Sequence, residues 1–113
     1  MSDTLKIRPV DGTWVVRAGG AVIGESNNVL ELIEGDFAPV LYFPRQDIAM
    51  AFLDANANTF QCPYKGRAQF YNIIAKSGPI PDAAWSYEDP SKDVEKIRDH
   101  LAFYTSKVTV EEV

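Results

Sequence analysis

Residues 13–26 read TWVVRAGGAVIGES, and this stretch gives the strongest local indication of the fold. Two segments of high β propensity meet at Gly19-Gly20, and paired glycines tolerate the positive φ angles of a tight hairpin turn. A two-residue loop places Val16 opposite Ile23, on the same face of the hairpin as Trp14. The sequence therefore predicts an antiparallel β-hairpin with one apolar face.

Further β segments follow this hairpin, with a first helix among them. Residues 28–35, NVLELIEG, alternate with period two, which favours a strand, although a helix is also compatible with the pattern. PVLYF at 39–43 is typical of a buried strand, and Pro44 ends it. Proline suits the first turn of a helix and Asp47 complements the positive helix end, so we predict a helix over residues 45–54. Apolar residues follow at helical spacing and support this prediction: Ile48, Ala51, Phe52 and Ala55.

The second half of the chain is predicted to be mostly strands, with a second helix near its end. Glycine and two prolines in KSGPIPD, residues 76–82, indicate a loop. Asp89 and Pro90 supply an N-cap and a first helical position. The other predicted strands cover residues 59–62, 66–75 and 85–87, with a turn at 63–66. The second helix is predicted to direct Val94, Ile97 and Leu101 inward, and residues 101–113 return to strand propensity.

Length and charge exclude several classes of protein. A chain of 113 residues predicts one domain, residues 1–113. Its net charge of −5 removes the electrostatic attraction on which nucleic-acid binding depends, and it disfavours an acidic membrane surface for the same reason. The start, MSDTLKIRPV, lacks the apolar segment of a signal peptide, and no long apolar run occurs. We therefore expect a cytoplasmic protein with no nucleic-acid or membrane partner.

The composition also argues against a metal or a familiar cofactor. With one Cys and one His, Cys62 and His100, the chain has too few soft ligands for a structural zinc site. It contains no phosphate-binding glycine loop and no closely spaced pair of acids for magnesium. We expect no metal, and the sequence indicates no particular cofactor.

The only cysteine lies in FQCPYKG, residues 60–66. Pro63 restricts Cys62 to an extended conformation, and Gly66 permits a left-handed residue at the end of a turn. An ammonium at Lys65 near the sulfur would stabilise the thiolate. Three interpretations of this thiol stay open: a reactive nucleophile, a packed core residue, and a neutral group that lines a pocket.

Arg45 stands where the strand at 39–43 meets the predicted helix. Free N–H groups and the helix dipole favour anions at such a junction, and a guanidinium strengthens the attraction. The alternative is an ion pair with Asp47 or another surface acid. Aromatic residues either line a ligand pocket or fill the core, and the sequence leaves both open for Tyr42, Tyr64, Tyr71, Trp85 and Tyr87.

Four stretches together carry a family resemblance. LYFPRQDI, FQCPYKGRAQFY, AAWSYEDP and IRDHLAFY resemble the small family known as domain of unknown function four hundred and twenty-seven, over about residues 10–104. The resemblance implies a compact, tent-like antiparallel β-fold similar to that of B-type methionine sulfoxide reductases, here without zinc. Members are sometimes labelled nucleotidyltransferases. The family pattern falls on Tyr42 to Arg45, Asp47, Cys62 to Gly66, Trp85 and Tyr87. The sequence departs from it at Gln46, where the resemblance implies an acid.

The sequence thus predicts a mainly β domain with two short helices that binds a small ligand, with an anionic one favoured, between Arg45 and the CPYKG turn. The predicted ligand-binding residues are Tyr42, Arg45, Asp47, Tyr64, Lys65 and Trp85. One alternative is a thiol-dependent enzyme in which Cys62 attacks, assisted by Lys65 and Arg45. Two others are a nucleotidyltransferase that clamps a triphosphate, and an interaction protein or homo-oligomer that pairs through open edge strands.

Overall fold

The computed structural model describes residues 5–113, which form ten β-strands and three short 3₁₀ turns. The strands are β1 Leu5–Pro9, β2 Trp14–Ala18, β3 Ala21–Ser26, β4 Leu30–Glu34, β5 Val40–Tyr42, β6 Leu53–Cys62, β7 Gly66–Ala75, β8 Gly78–Pro90, β9 Ala102–Phe103 and β10 Thr109–Glu112. The 3₁₀ turns are Arg45–Asp47, Met50–Phe52 and Lys92–Ile97. Residues 1–4, the beginning of the predicted domain, lie outside the described residues.

The strands form three antiparallel sheets, so the mainly β, antiparallel architecture predicted from the sequence is confirmed. Their orders are β1-β4-β5, β10-β2-β3 and β6-β7-β8-β9. The last sheet contains the long strands β6, β7 and β8, and tight turns connect them in that order. The tent-like similarity to B-type methionine sulfoxide reductases stays a prediction.

The hairpin of β2 and β3 forms at Gly19-Gly20 as predicted, but one of its pairings differs. A bulge after Val16 inserts one extra residue into the ladder, so Val16 pairs with Gly24 instead of Ile23. Val16 and Ile23 are nevertheless both buried in the same core cluster. The missing side chain of Gly24 leaves space for Ile48, with which it forms an isolated bridge.

The helix predicted over residues 45–54 is not formed. Two separate 3₁₀ turns take its place, and β6 begins at Leu53, so the strand predicted at 59–62 is the end of a longer one. The reason is tertiary, because the backbone between the turns bonds to the hairpin: Ala49 N–H donates to the Ile23 carbonyl at 2.8 Å. These bonds to β3 replace the intrahelical bonds that the apolar spacing had indicated.

The loop predicted at residues 76–82 is also wrong, because β8 already begins at Gly78 and only Lys76-Ser77 form the turn. Pro79 sits in the strand opposite Ile74. Strand β9 pairs with β8 only at Ala84 and Trp85, so the proline segment has an open edge on its far side. A proline lacks only the N–H donor, and at an open edge no ladder bond is lost.

The last helical segment is shorter than predicted and starts later. Asp89 and Pro90 end β8, and Ser91 precedes the 3₁₀ turn Lys92–Ile97. Its predicted inward residues are confirmed, since all three are fully buried: Val94, Ile97 and Leu101. The β propensity of the final segment is confirmed by β9 and β10.

Strand β5 separates two core clusters, and this separation positions the candidate site. Tyr42 and Phe43 are consecutive and both buried, yet they belong to different clusters, since neighbouring residues of an extended chain point to opposite sides. Phe43 packs with Ile73 and Leu101 in the first cluster. Tyr42 belongs to the second cluster, with Cys62, Ala68, Tyr87, Val94 and Ile97.

Candidate functional site

A cavity of about 280 Å³ opens beside the second core cluster; we call it the aromatic pocket. Strands β5 to β8 and the segment after β9 contribute its wall. The cavity is close to the lower end of the range of small-molecule sites, which are mostly apolar with a few polar groups. Its aromatic lining consists of Tyr42, Phe60, Phe70, Trp85, Tyr87 and Tyr104.

Lys65 is the charged residue in the wall of the aromatic pocket, and a tight turn holds it there. Gly66 has a φ of +97°, which confirms the left-handed residue predicted at the end of this turn. The Lys65 carbonyl accepts a hydrogen bond from the Ser91 N–H at 3.1 Å, and the Ser91 hydroxyl donates to the Tyr64 carbonyl at 2.7 Å. The turn is thus fixed to the chain that follows β8.

The ammonium of Lys65 is partly shielded from water. Its Nζ donates to Oε1 of Glu34 at 2.7 Å and lies 6.0 Å from the centre of the Tyr87 ring. Only 17% of the Lys65 side chain is exposed, so this ion pair is less screened than a surface pair. An ammonium has three donor hydrogens, and Glu34 occupies one of them. Lys65 therefore keeps donors for a second acceptor.

Tyr42, Trp85 and Tyr104 pack against one another along the wall. Nε1 of Trp85 donates to the Tyr42 hydroxyl at 3.3 Å, and the two rings are perpendicular with centroids 6.5 Å apart. The Trp85 and Tyr104 rings are closer, with centroids at 4.6 Å. Burial raises the pKa of Tyr42 to about 12, and burial also raises the pKa of Tyr87. Both phenols are hence neutral at physiological pH.

We expect the Tyr42 proton to make stability depend on pH in the alkaline range. Since the folded-state pKa lies above the ordinary value of 10, the folded protein keeps this proton where the unfolded chain has released it. This contribution, about 2–3 kcal/mol, is complete below pH 10 and is lost as pH rises through about 12. Urea unfolding of the wild type and of Tyr42→Phe at several pH values between 8 and about 12 measures it.

The Tyr42→Phe variant should start from a lower stability at pH 8, because Trp85 loses its acceptor, and should then lose less as pH rises. Tyr64→Phe is the matched control, since Tyr64 is 48% exposed, and it should follow the wild type. Equal alkaline losses in the wild type and Tyr42→Phe would contradict the assignment.

Arg45 does not line the aromatic pocket. Its guanidinium donates to the Tyr71 hydroxyl and the Ser86 hydroxyl, both at 3.3 Å, to Oε2 of Glu88 at 2.9 Å, and to the Asp99 carbonyl at 3.2 Å. Tyr71 also donates to Glu88, and burial together with this bond raises the pKa of Tyr71. Arg45 thereby fastens the chain after β5 to β7, β8 and the segment before β9.

Strand β8 explains why Arg45 and Lys65 are apart. Trp85 and Tyr87 face the aromatic pocket, whereas Ser86, between them, bonds to Arg45. Successive residues of a strand point to opposite faces, so the two cations lie against different faces of β8. The sequence predicted one shared site for the two cations, and the structure separates them. Tyr42, Lys65 and Trp85 line the aromatic pocket, whereas Arg45 lies outside it.

The other predicted site residues also lie outside the pocket wall. Asp47 accepts a hydrogen bond from the Ser26 hydroxyl at 2.6 Å, and Tyr64 is an exposed turn residue. Cys62 is 8% exposed and packs in the second core cluster beside Tyr42 and Tyr87. Its sulfur thus borders the site from the core side, without lining the cavity.

Sequence reasoning missed the partner of Lys65 and part of the aromatic wall. Glu34 and Lys65 are separated by 31 positions, and no local pattern joins them. Phe60 carried a signal in the sequence, since it stands two residues before Cys62 in the predicted strand and therefore shares its face. Phe70 and Tyr104 carried no signal of this kind.

Two further observations concern metal binding and membrane spans. Among the His, Cys, Asp and Glu side chains of residues 5–113, no group of three or more is placed to hold a metal ion. Over the same part of the chain, none of the helical segments has the length and apolar character needed to cross a membrane.

Fold and cavity together define a compact antiparallel β protein with an aromatic pocket and one lysine in its wall. Within that class, the chain belongs to the family described as Domain of unknown function (DUF427), which matches residues 6–113. No curated protein matches the sequence.

Proposed function

We propose that the protein binds a small organic anion in the aromatic pocket, with the anionic group on Lys65 and the apolar body against the aromatic rings. The observation that carries this proposal is that Lys65, whose side chain is largely shielded from water, is the charged residue among the described residues that line an otherwise apolar and aromatic cavity. A buried or half-buried cation attracts an anion more strongly than an exposed one does. The ring faces supply a contact surface for the rest of the ligand.

Glu34 has a defined part in this proposal, because it already satisfies one donor of the ammonium at 2.7 Å. It holds Lys65 in place when no ligand is bound. It also places a negative charge next to the incoming anion, which weakens binding. The net attraction therefore depends on both members of the pair, and the two substitutions below separate them.

Replacing Lys65 with Met is expected to weaken the binding of aromatic carboxylates about 10- to 100-fold, since a hydrogen bond to a charged group contributes about 1.5–3 kcal/mol. Replacing Glu34 with Gln is expected to strengthen binding about fivefold, because a like charge is removed. Benzoate, 1-naphthoate and indole-3-carboxylate are the probes. Calorimetry gives Kd, and quenching of Trp85 fluorescence by benzoate, measured in a Trp14→Phe background because the chain has two tryptophans, reports occupancy of the pocket.

Lys92→Met is the matched control, since Lys92 is an exposed lysine away from the pocket and the change in net charge is the same. Arg45→Met tests the site predicted from sequence; on our proposal its Kd stays unchanged although the fold loses contacts. The proposal fails if none of the carboxylates binds, or if Lys65→Met and Lys92→Met have equal effects.

The two enzyme alternatives draw less support from the described residues. A nucleophilic thiolate needs access to its substrate, and Cys62 packs among Tyr42, Ala68 and Tyr87. A nucleotidyltransferase that uses magnesium needs a group of carboxylates, and residues 5–113 provide no such group of three. Binding without chemistry is the function that this geometry supports best.

A further inference from the structure

A second cavity, of about 350 Å³, lies beside the aromatic pocket; we call it the apolar cavity. It lies between β5, β9 and the final strand, and none of the described residues that line it carries a charge. Its inner wall belongs to the first core cluster or packs against it: Leu41, Phe43, Phe103 and Val110. A cavity of this composition accepts hydrocarbon and offers little to a polar group.

The two cavities share part of their lining. Val40, Trp85 and Tyr104 contribute to both, so the two cavities adjoin along these side chains. Tyr104 is partly exposed and lies in the turn that follows β9. We call the two adjoining cavities together the combined space. Lys65 supplies its charged group, on the side of the aromatic pocket, whereas the apolar cavity at the other end is lined mostly by hydrocarbon.

We infer that the ligand is an amphipathic carboxylate with an unbranched aliphatic chain, its head on Lys65 and its chain passing Trp85 and Tyr104 into the apolar cavity. This inference rests on the proposed function, to which it adds the class of ligand. A charge at one end and hydrocarbon at the other match the two ends of the combined space. A compact aromatic acid fills only the aromatic pocket and leaves the apolar cavity in contact with water.

The chain-length dependence of binding follows from the burial of methylene groups. Each buried methylene contributes a factor of about four in Kd, which corresponds to about 0.8 kcal/mol. We therefore expect Kd to fall about fourfold per carbon along a series of straight-chain carboxylates, from butanoate upward, until the apolar cavity is full. Beyond that length Kd levels off, because further carbons extend into water.

The experiment is calorimetry of the full chain with butanoate, hexanoate, octanoate, decanoate and dodecanoate, and with the primary alcohols of the same lengths. Ala38→Trp is the blocking variant, since Ala38 is an exposed residue in the wall of the apolar cavity and its replacement disturbs no core contact. Ala51→Trp, at an exposed position elsewhere, is the matched control.

The inference is supported if Kd falls about fourfold per carbon in the wild type and in Ala51→Trp, and if the alcohols bind more weakly than the carboxylates. In Ala38→Trp, Kd should no longer depend on chain length, and the Kd of butanoate should be unchanged. In Lys65→Met all carboxylates should weaken together while the dependence on length persists. A flat series in the wild type, or an unchanged slope in Ala38→Trp, overturns this inference and leaves the proposed function standing if benzoate still binds. If neither benzoate nor any alkanoate binds, both proposals fail.

Discussion

Replacing Gly66 with Ala is expected to lower the free energy of unfolding by about 2–6 kcal/mol. A Cβ at this position would lie 2.4 Å from the Asp89 carbonyl oxygen, 2.8 Å from the Ser91 nitrogen and 2.9 Å from Pro90 Cα. All three are backbone atoms, so no side-chain rotation relieves the overlap. The φ of +97° adds strain of about 1–3 kcal/mol for any residue with a side chain, and overpacking adds a similar amount.

The same substitution at Gly20 is the matched control. Gly20 also has a positive φ, +84°, but across residues 5–113 no atom lies within 4 Å of a Cβ built there. Gly20→Ala should therefore cost only about 1 kcal/mol, from backbone strain alone. Urea unfolding of both variants measures the difference. Equal losses would show that the turn before β7 is not packed against the end of β8 as described.

The Gly66 result also bears on the proposed function, since the turn that Gly66 closes carries Lys65. A Gly66→Ala protein that still folds is expected to bind benzoate more weakly than the wild type, because the turn must move to relieve the contact with β8. Gly20→Ala, in the distant hairpin, should leave Kd unchanged.

Replacing Phe43 with Ala is expected to cost about 3–5 kcal/mol, the usual loss for a large aromatic residue removed from a core. Phe43 is completely buried, and its ring packs perpendicular to that of Phe103 with centroids 5.9 Å apart. Its backbone is fixed as well, because Phe43 and Leu101 exchange two hydrogen bonds of 2.8 Å. The neighbours are thus held in place and cannot close the space that the ring leaves.

Phe37→Ala is the control, since the side chain of Phe37 is 75% exposed and the chemical change is identical. We expect its effect on stability to stay within about 0.5 kcal/mol. Thermal or urea unfolding compares the two variants. A loss at Phe43 no larger than the loss at Phe37 would contradict the assignment of Phe43 to the core between β5 and β9.

Local patterns in the sequence were sufficient for several elements. The glycine pair fixed the hairpin turn, the alternating residues 66–75 formed β7 over that range, and Gly66 took the left-handed conformation. Each of these depends on interactions within a few residues, such as the conformational freedom of glycine or the two-residue repeat of a strand.

Helical spacing misled the prediction for residues 45–54, because the same apolar residues also suit a chain that packs irregularly on a hairpin. Ile48 is buried against Gly24 of β3, a residue too distant in sequence for any local pattern to include. Similarly, the prolines at 79 and 81 read as breakers, although an open edge makes them compatible with β8. In both places a neighbour distant in sequence decided the conformation.

In the candidate site, too, some properties are local and others depend on neighbours distant in sequence. The sequence by itself determined the side-chain chemistry of Tyr42, Lys65 and Trp85 and the turn that carries Lys65, since both are local properties. Only the tertiary structure decided that Lys65 meets Glu34 and the aromatic rings, and that Arg45 binds Glu88 on the other face of β8. The physical reason is the alternation of side chains along a strand: a shift of one residue transfers a group from one face of the sheet to the other, and pairing between distant strands sets that register.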